Sequence, residues 1–148
     1  MSKVSGIKGG ARLRSTLRRL PVAILGEVRG AVAASAQAVY DEARVRMPTP
    51  GTHPYATGEL QRKFRLFVSK DGLRARIGSW GKRRARHIHL VEFGAAPHAI
   101  PMPDGGTVQH PGAPAQPFLF PAYKAKARGA RLTIRAAVRK ALDREARR

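Results

Sequence analysis

Ten of the eleven prolines in this chain lie between Pro48 and Pro121, and seven of those ten between Pro97 and Pro121. Proline removes a backbone donor and fixes φ, so a segment that carries it repeatedly cannot be regular helix. Long helices are thereby confined to the two ends, and the middle is left for turns and short strands. Helical ends around a turn-rich middle predict one α+β domain over residues 1–148 rather than a βαβ repeat. The expected architecture is a long N-terminal helix and a C-terminal amphipathic helix packed on a small, mainly antiparallel β-sheet with a long Pro/Gly-rich arm. At this length a chain buries roughly two thirds of its unfolded surface, enough for a core without staples.

The N-terminal end opens with a Gly-rich lead, residues 1–10, read as flexible, followed by Leu13, Leu17 and Leu20 at helical spacing and then Pro21. From there Ile24, Val28, Val32, Ala36, Val39, Ala43 and Met47 recur at steps of three and four, which places them on one helical face. Pro48-Thr49-Pro50-Gly51 ends the pattern, because a residue before proline is pushed out of the α region. A long helix is therefore expected over residues 21–46.

In the middle, residues 60–69 and 73–79 alternate apolar and polar positions, with Phe64, Leu66 and Val68 on one face and Leu73, Ala75 and Ile77 set against Arg74 and Arg76. Asp71-Gly72 between them signals a two-residue type I′ hairpin. A third run, residues 86–93, is expected to pair with them as a strand. Residues 95–116 hold many Pro and Gly and little apolar periodicity, and are read as an extended loop or arm. A loop that long in a compact domain is usually functional or disordered.

The C-terminal segment, residues 121–147, reads as a two-faced helix. At 100° per residue Arg128, Arg131, Arg135 and Arg139 share one narrow sector, with Ala130, Ile134, Ala137, Val138 and Ala141 opposite. Like charges at i,i+4 destabilise a helix by a few tenths of a kcal/mol per pair, so such a stripe calls for an anionic neighbour or a packed apolar face. The whole chain carries 29 Lys and Arg against 9 Asp and Glu, a formal net charge of +20. That excess favours polyanions, acidic protein surfaces or anionic membranes as partners. Lys82, Arg83, Arg84 and Arg86 beside Trp80 form a second basic segment able to touch phosphates without reading sequence.

Several chemistries are excluded or disfavoured. There is no cysteine, so disulfide frameworks, Cys-ligated metal and thiol catalysis are out. The longest apolar stretches, residues 22–25 and the Ala-rich 31–40, fall far short of the roughly 18 residues a membrane span needs, and the basic N-terminus has no apolar signal region behind it. Folding in a bacterial-type cytoplasm is expected. His87-x-His89-x-x-Glu92 offers three potential ligands, but on a strand 87 and 89 face one side and Glu92 the other, so no metal site is expected. His53, His98 and His110 fall in loops. No serine sits in a nucleophile-elbow setting, and Gly78-Ser79-Trp80-Gly81-Lys82 lacks phosphate-loop spacing. Glu42 and Arg46 at i,i+4 read as a surface pair. The expectation is a non-enzyme with no catalytic residues, cofactor or metal.

Three segments stand out in order: Glu42-Ala43-Arg44-Val45-Arg46-Met47-Pro48 with Thr57-Gly58-Glu59-Leu60 after a spacer, then Leu90-Val91-Glu92-Phe93-Gly94, then Pro114-Ala115-Gln116-Pro117-Phe118-Leu119-Phe120-Pro121-Ala122. Together they resemble the neck or tail-completion proteins of long-tailed bacteriophages, a family also labelled minor tail component. The spacer, residues 49–56, and the arm are long for the family, and His-Ile-His stands where a tyrosine is common. The resemblance implies a structural virion protein of the head–tail interface, made in the host cytoplasm. Its copies would assemble as a homo-oligomeric ring, hexamer or dodecamer, that completes or joins the tail. Expected partners are the other neck proteins, a connector, adaptor or stopper ring on one side and the tail terminator or tube on the other, with double-stranded DNA passing through the lumen. Under this reading Arg128, Arg131, Arg135, Arg139, Lys82, Arg83, Arg84 and Arg86 face DNA or an acidic partner. Glu92, Phe93, Gly94, Pro117, Phe118, Phe120 and Pro121 are structural or subunit-interface positions, with Glu92 a partner for a neighbour's arginine or else an ordinary strand residue.

The main alternative is a free, sequence-nonspecific nucleic-acid-binding protein of the histone-like or ribosomal type, which the charge alone supports. A membrane-surface role is disfavoured, because the apolar face of the C-terminal helix is alanine-rich and lacks Trp, Phe and Leu anchors.

Overall fold

A computed structural model describes residues 22–53 and 56–147. The expected lead at residues 1–10, the leucines at 13, 17 and 20, and Pro21 lie outside the described residues. The order of elements is α1 (Val22–Arg46), α2 (Glu59–Lys63), β1 (Arg65–Val68), β2 (Ala75–Gly78), α3 (Ile88–Phe93), β3 (His98–Pro101), β4 (Thr107–His110) and α4 (Leu119–Ala146). This is the α+β arrangement expected, with a long helix at each end.

The two long helices are antiparallel neighbours. Ion pairs join the start of α4 to the end of α1, Lys126 to Glu42 at 3.1 Å, and the end of α4 to the start of α1, Arg144 to Glu27 at 2.8 Å. Between them the spacing-predicted stripe is buried at Ile24, Val28, Ala36, Val39, Ala43 and Met47. Val32 is only half-buried, and Ala31 takes the inner position. The core continues through Leu60, Phe64, Ala85, Phe118 and Ala122, with Tyr40, Ile77, Ile88 and Val91 packed around it. Phe64 links its parts, stacked on Tyr40 at 5.2 Å and edge-on to Phe118 at 5.6 Å. Phe118 and Val28 are fully buried, each stabilising the fold by about 1.5–3 kcal/mol.

The strands form two separate antiparallel hairpins rather than one sheet. In the first, Arg65 pairs with Gly78 and Val68 with Ala75, and the inward residues Leu66, Val68 and Ile77 lie toward α1. Its connection differs from the expected two-residue turn. A type I′ turn needs positive φ at both central residues, yet no non-glycine residue among those described has positive φ. Ser69 N–H donates to Arg74 O at 2.9 Å and Gly72 N–H to Ser69 O at 2.8 Å, closing a four-residue loop with only Gly72 left-handed. Arg29 of α1 donates to Asp71 O and holds the loop down.

Three further expectations are corrected. Residues 59–63, whose last four were read as the start of a strand, are the helical turn α2. Residues 88–93, expected to be a third strand, are α3. Residues 95–116, read as an extended loop or arm, are not irregular throughout but carry the second hairpin. In it His98 pairs with His110 and Pro101 with Thr107, and an isolated bridge between Ala95 and Ala113 closes the stem. All eight of its strand residues are exposed.

Candidate functional site

The N-terminus of α4 explains why the second and third motif segments occur together. The first N–H groups of any α-helix lack intrahelical acceptors, and α4 has no acidic residue in its first turn. Its donors are met from 26 residues away. Glu92 Oε2 accepts from Phe118 N at 2.9 Å and Leu119 N at 3.0 Å, and Oε1 accepts from Phe120 N at 2.8 Å. The next residue, Pro121, has no N–H to satisfy, and at Ala122 the regular ladder begins with a bond to Phe118 O. A carboxylate at this end also meets the positive pole of the helix dipole. Glu92 is buried, and these three bonds satisfy its carboxyl oxygens; it has no ion-pair partner among the described residues. The structure thus corrects the strand reading of Glu92: it is helical, and within the chain it caps α4.

The neighbouring motif residues serve the same joint. Gln116 N–H donates to Val91 O at 2.7 Å, running the third motif along α3. Gly94 ends α3 at φ 77° and ψ 178°, a region open essentially to glycine alone. A Cβ there would stand 2.8 Å from Ala113 O. Phe118 goes to the core while Phe120 stays 55% exposed, in edge contact with Phe93, itself 69% exposed, at 6.0 Å. Pro117 is exposed and lines, with Met47, His53 and Gln116, an open surface cleft of about 440 Å³. The His53 and Gln116 side chains touch across it.

Arg128, Arg131, Arg135 and Arg139 all lie exposed along α4, while Ala130, Ile134, Ala137 and Val138 are half-buried and Ala141 buried. The carboxylates of α1 are engaged elsewhere: Glu42 pairs with Arg46 and Lys126, and Glu27 with Lys140 and Arg144. Hydrogen bonds from Lys126 and Arg46 hold the Glu42 carboxyl below its usual range. None of the four stripe arginines has an ion-pair partner among the described residues.

The second basic segment is forced outward by its own anchor. Ala85 is fully buried and its N–H donates to Ser79 Oγ at 2.7 Å, so the intervening Lys82, Arg83 and Arg84 bulge into solvent; Arg86 follows, also exposed. Trp80 is neither free nor in the core. The guanidinium of Arg65 lies 4.8 Å and that of Arg76 4.9 Å from its ring centroid, on the outer face of the first hairpin. These two arginines were not singled out from the sequence, because their meeting depends on strand register. The alternation of Arg74 and Arg76 is the one signal that pointed to that face.

The ligand set around His87 does not form. His87 and His89 sit at the start of α3, Glu92 is turned inward, and among the described residues no group of three or more His, Cys, Asp or Glu could hold a metal ion. No described helix is long and apolar enough to cross a membrane. His98 and His110 stack across the second hairpin at 5.0 Å. No family model, curated protein or solved structure matches this chain.

Proposed function

We propose that this chain is a structural subunit of the head–tail interface of a long-tailed bacteriophage. Its copies form a homo-oligomeric ring in the neck that completes or joins the tail and lets double-stranded DNA pass. The observation that carries the reading is the exposed row Arg128, Arg131, Arg135 and Arg139, without an ion-pair partner among the described residues, on a helix whose opposite face is packed. A wall along which DNA must slide needs cations that neutralise phosphate without reading bases, and such a row supplies them. The neck resemblance adds support, since Glu92 makes its two most distinctive segments a single structural joint. Partners under this reading are further copies, the neighbouring neck rings and DNA in transit.

One observation favours the alternative of a free nucleic-acid-binding protein. Arg65 and Arg76 on Trp80, next to Lys82, Arg83 and Arg84, make a second cationic surface on a different element. The two readings part in solution. Light scattering of the purified chain at low and high salt, followed by negative-stain imaging, is expected to give a discrete closed ring of hexamer or dodecamer mass. A salt-insensitive monomer that binds naked duplex with a steep salt slope supports the free-protein reading instead.

A further inference from the structure

Residues 87–123 contain no Lys or Arg, in a chain where about one residue in five is one or the other. Six of the ten exposed large hydrophobics among the described residues fall in this span: Leu90, Phe93, Ile100, Met102, Val108 and Phe120. Interface cores are depleted in charge and enriched in aromatics, and the Phe93–Phe120 pair is an exposed aromatic anchor of that kind. The second hairpin adds a separate argument. Ile100 lies directly opposite Val108 and His98 opposite His110, so one face is apolar and aromatic, yet every strand residue is exposed. A lone two-stranded hairpin is marginal in water.

The missing cations give the sign of the partner. An acidic partner is held better by a surface that keeps its Lys and Arg, and this chain has them in excess everywhere else. Clearing them lowers repulsion only toward a partner that is itself basic. A second copy, at +20, is such a partner, and the two copies repel through their other faces.

We propose that the apolar face of hairpin β3–β4 in one copy docks over the Phe93–Phe120 pair of the next. The inference rests on the self-assembly in the proposed function and names the surfaces that carry it. Repeated head to tail from copy to copy the contact is heterologous, the type that forms a ring when the rotation between copies closes; reciprocated between two copies it gives a two-fold dimer instead.

The absence of native cysteine makes a disulfide test clean. Full-length Ile100→Cys and Leu90→Cys chains, each with one thiol, are mixed in equal amounts and gently oxidised. The mixed 100-to-90 product is expected to dominate over like-with-like products at all dilutions that preserve the assembly. A purely statistical yield, with the mixed product at half of the total and each like-with-like product at a quarter, overturns the proposal. In parallel, Ile100→Lys with Val108→Lys is expected to weaken self-association by about a hundredfold, since docking then buries ammonium groups without counter-charge. Circular dichroism checks that these exposed substitutions leave the monomer folded, and an unchanged assembly mass overturns the proposal. Mixed disulfides from a species that closes at two copies uphold the docking surface and contradict the ring. A closed ring whose cross-links avoid residue 100 contradicts the docking surface alone, and a wild-type chain monomeric at every concentration and salt overturns both.

Discussion

The two hairpins have strands of equal length and the same antiparallel pairing, yet opposite fates. The first packs Leu66, Val68 and Ile77 toward α1 and turns Arg65, Phe67, Arg74 and Arg76 to water. The second leaves every strand residue exposed, Ile100 and Val108 among them, and carries no Lys or Arg. Apolar side chains facing α1 are accounted for by folding. Those with no described element over them are the ones the proposed docking would cover, and the exclusion of Lys and Arg from the same span fits a basic partner.

The largest expected effect breaks the joint that seats the second hairpin. Glu92→Ala strands three backbone N–H groups at the start of α4, one of them buried and two partly buried, and removes the carboxylate that faces the helix dipole. A loss of about 3 kcal/mol or more is expected in urea denaturation, and a loss under about 1 kcal/mol would mean the cap is dispensable. Next, Gly94→Ala forces a side chain into glycine-only backbone space against Ala113 O, with an expected cost of about 2 kcal/mol.

The hairpins themselves are separated by one chemical change made twice. Ile77→Ala removes methyl groups packed against the core and is expected to cost about 1–2 kcal/mol in the monomer. Ile100→Ala is expected to cost less than about 0.5 kcal/mol there, and to act instead on self-association. Equal monomer costs would erase the distinction between the two hairpins.

The smallest effect is on acid stability, and it belongs to the helices around the first hairpin. Lys126 and Arg46 beside Glu42, and Lys63 beside Glu59, hold both carboxyls below their usual value of 4.5. A carboxyl depressed in the folded state stabilises it above the unfolded pKa, and that contribution is lost as pH falls through the folded value. Tm is therefore expected to decline with acidification below about pH 4.5, and the double variant Glu42→Gln with Glu59→Gln to flatten the decline slightly. A profile identical to wild type would show that these pairs contribute nothing.

Both long helices were legible because periodicity over 25 residues or more overdetermines a helix. Shorter elements were not. The run 86–93 alternates well enough to pass for a strand, and six helical residues are too few to show a 3.6 period. The hairpin at 95–116 escaped because turn residues frame both its strands and no apolar alternation marks them. The Arg128-to-Arg139 stripe follows from helix geometry alone, so its exposed face was readable in advance. The role of Glu92 was not, since it depends on a contact across 26 residues that no local pattern encodes. The Lys- and Arg-free span is a different case. It can be read in the sequence, but its meaning emerges only when the same residues prove to be uncovered.

The central claim is that the molecule divides its surface into a cationic part for DNA and a cation-free part for its own copies. A cryo-electron-microscopy map of the assembled protein tests it most directly. Arg128, Arg131, Arg135 and Arg139 are expected on the wall of the central hole, with hairpin β3–β4 seated at the seam between copies. The arginine row on the outer, solvent-facing wall, or the hairpin hanging free at the rim, would contradict it.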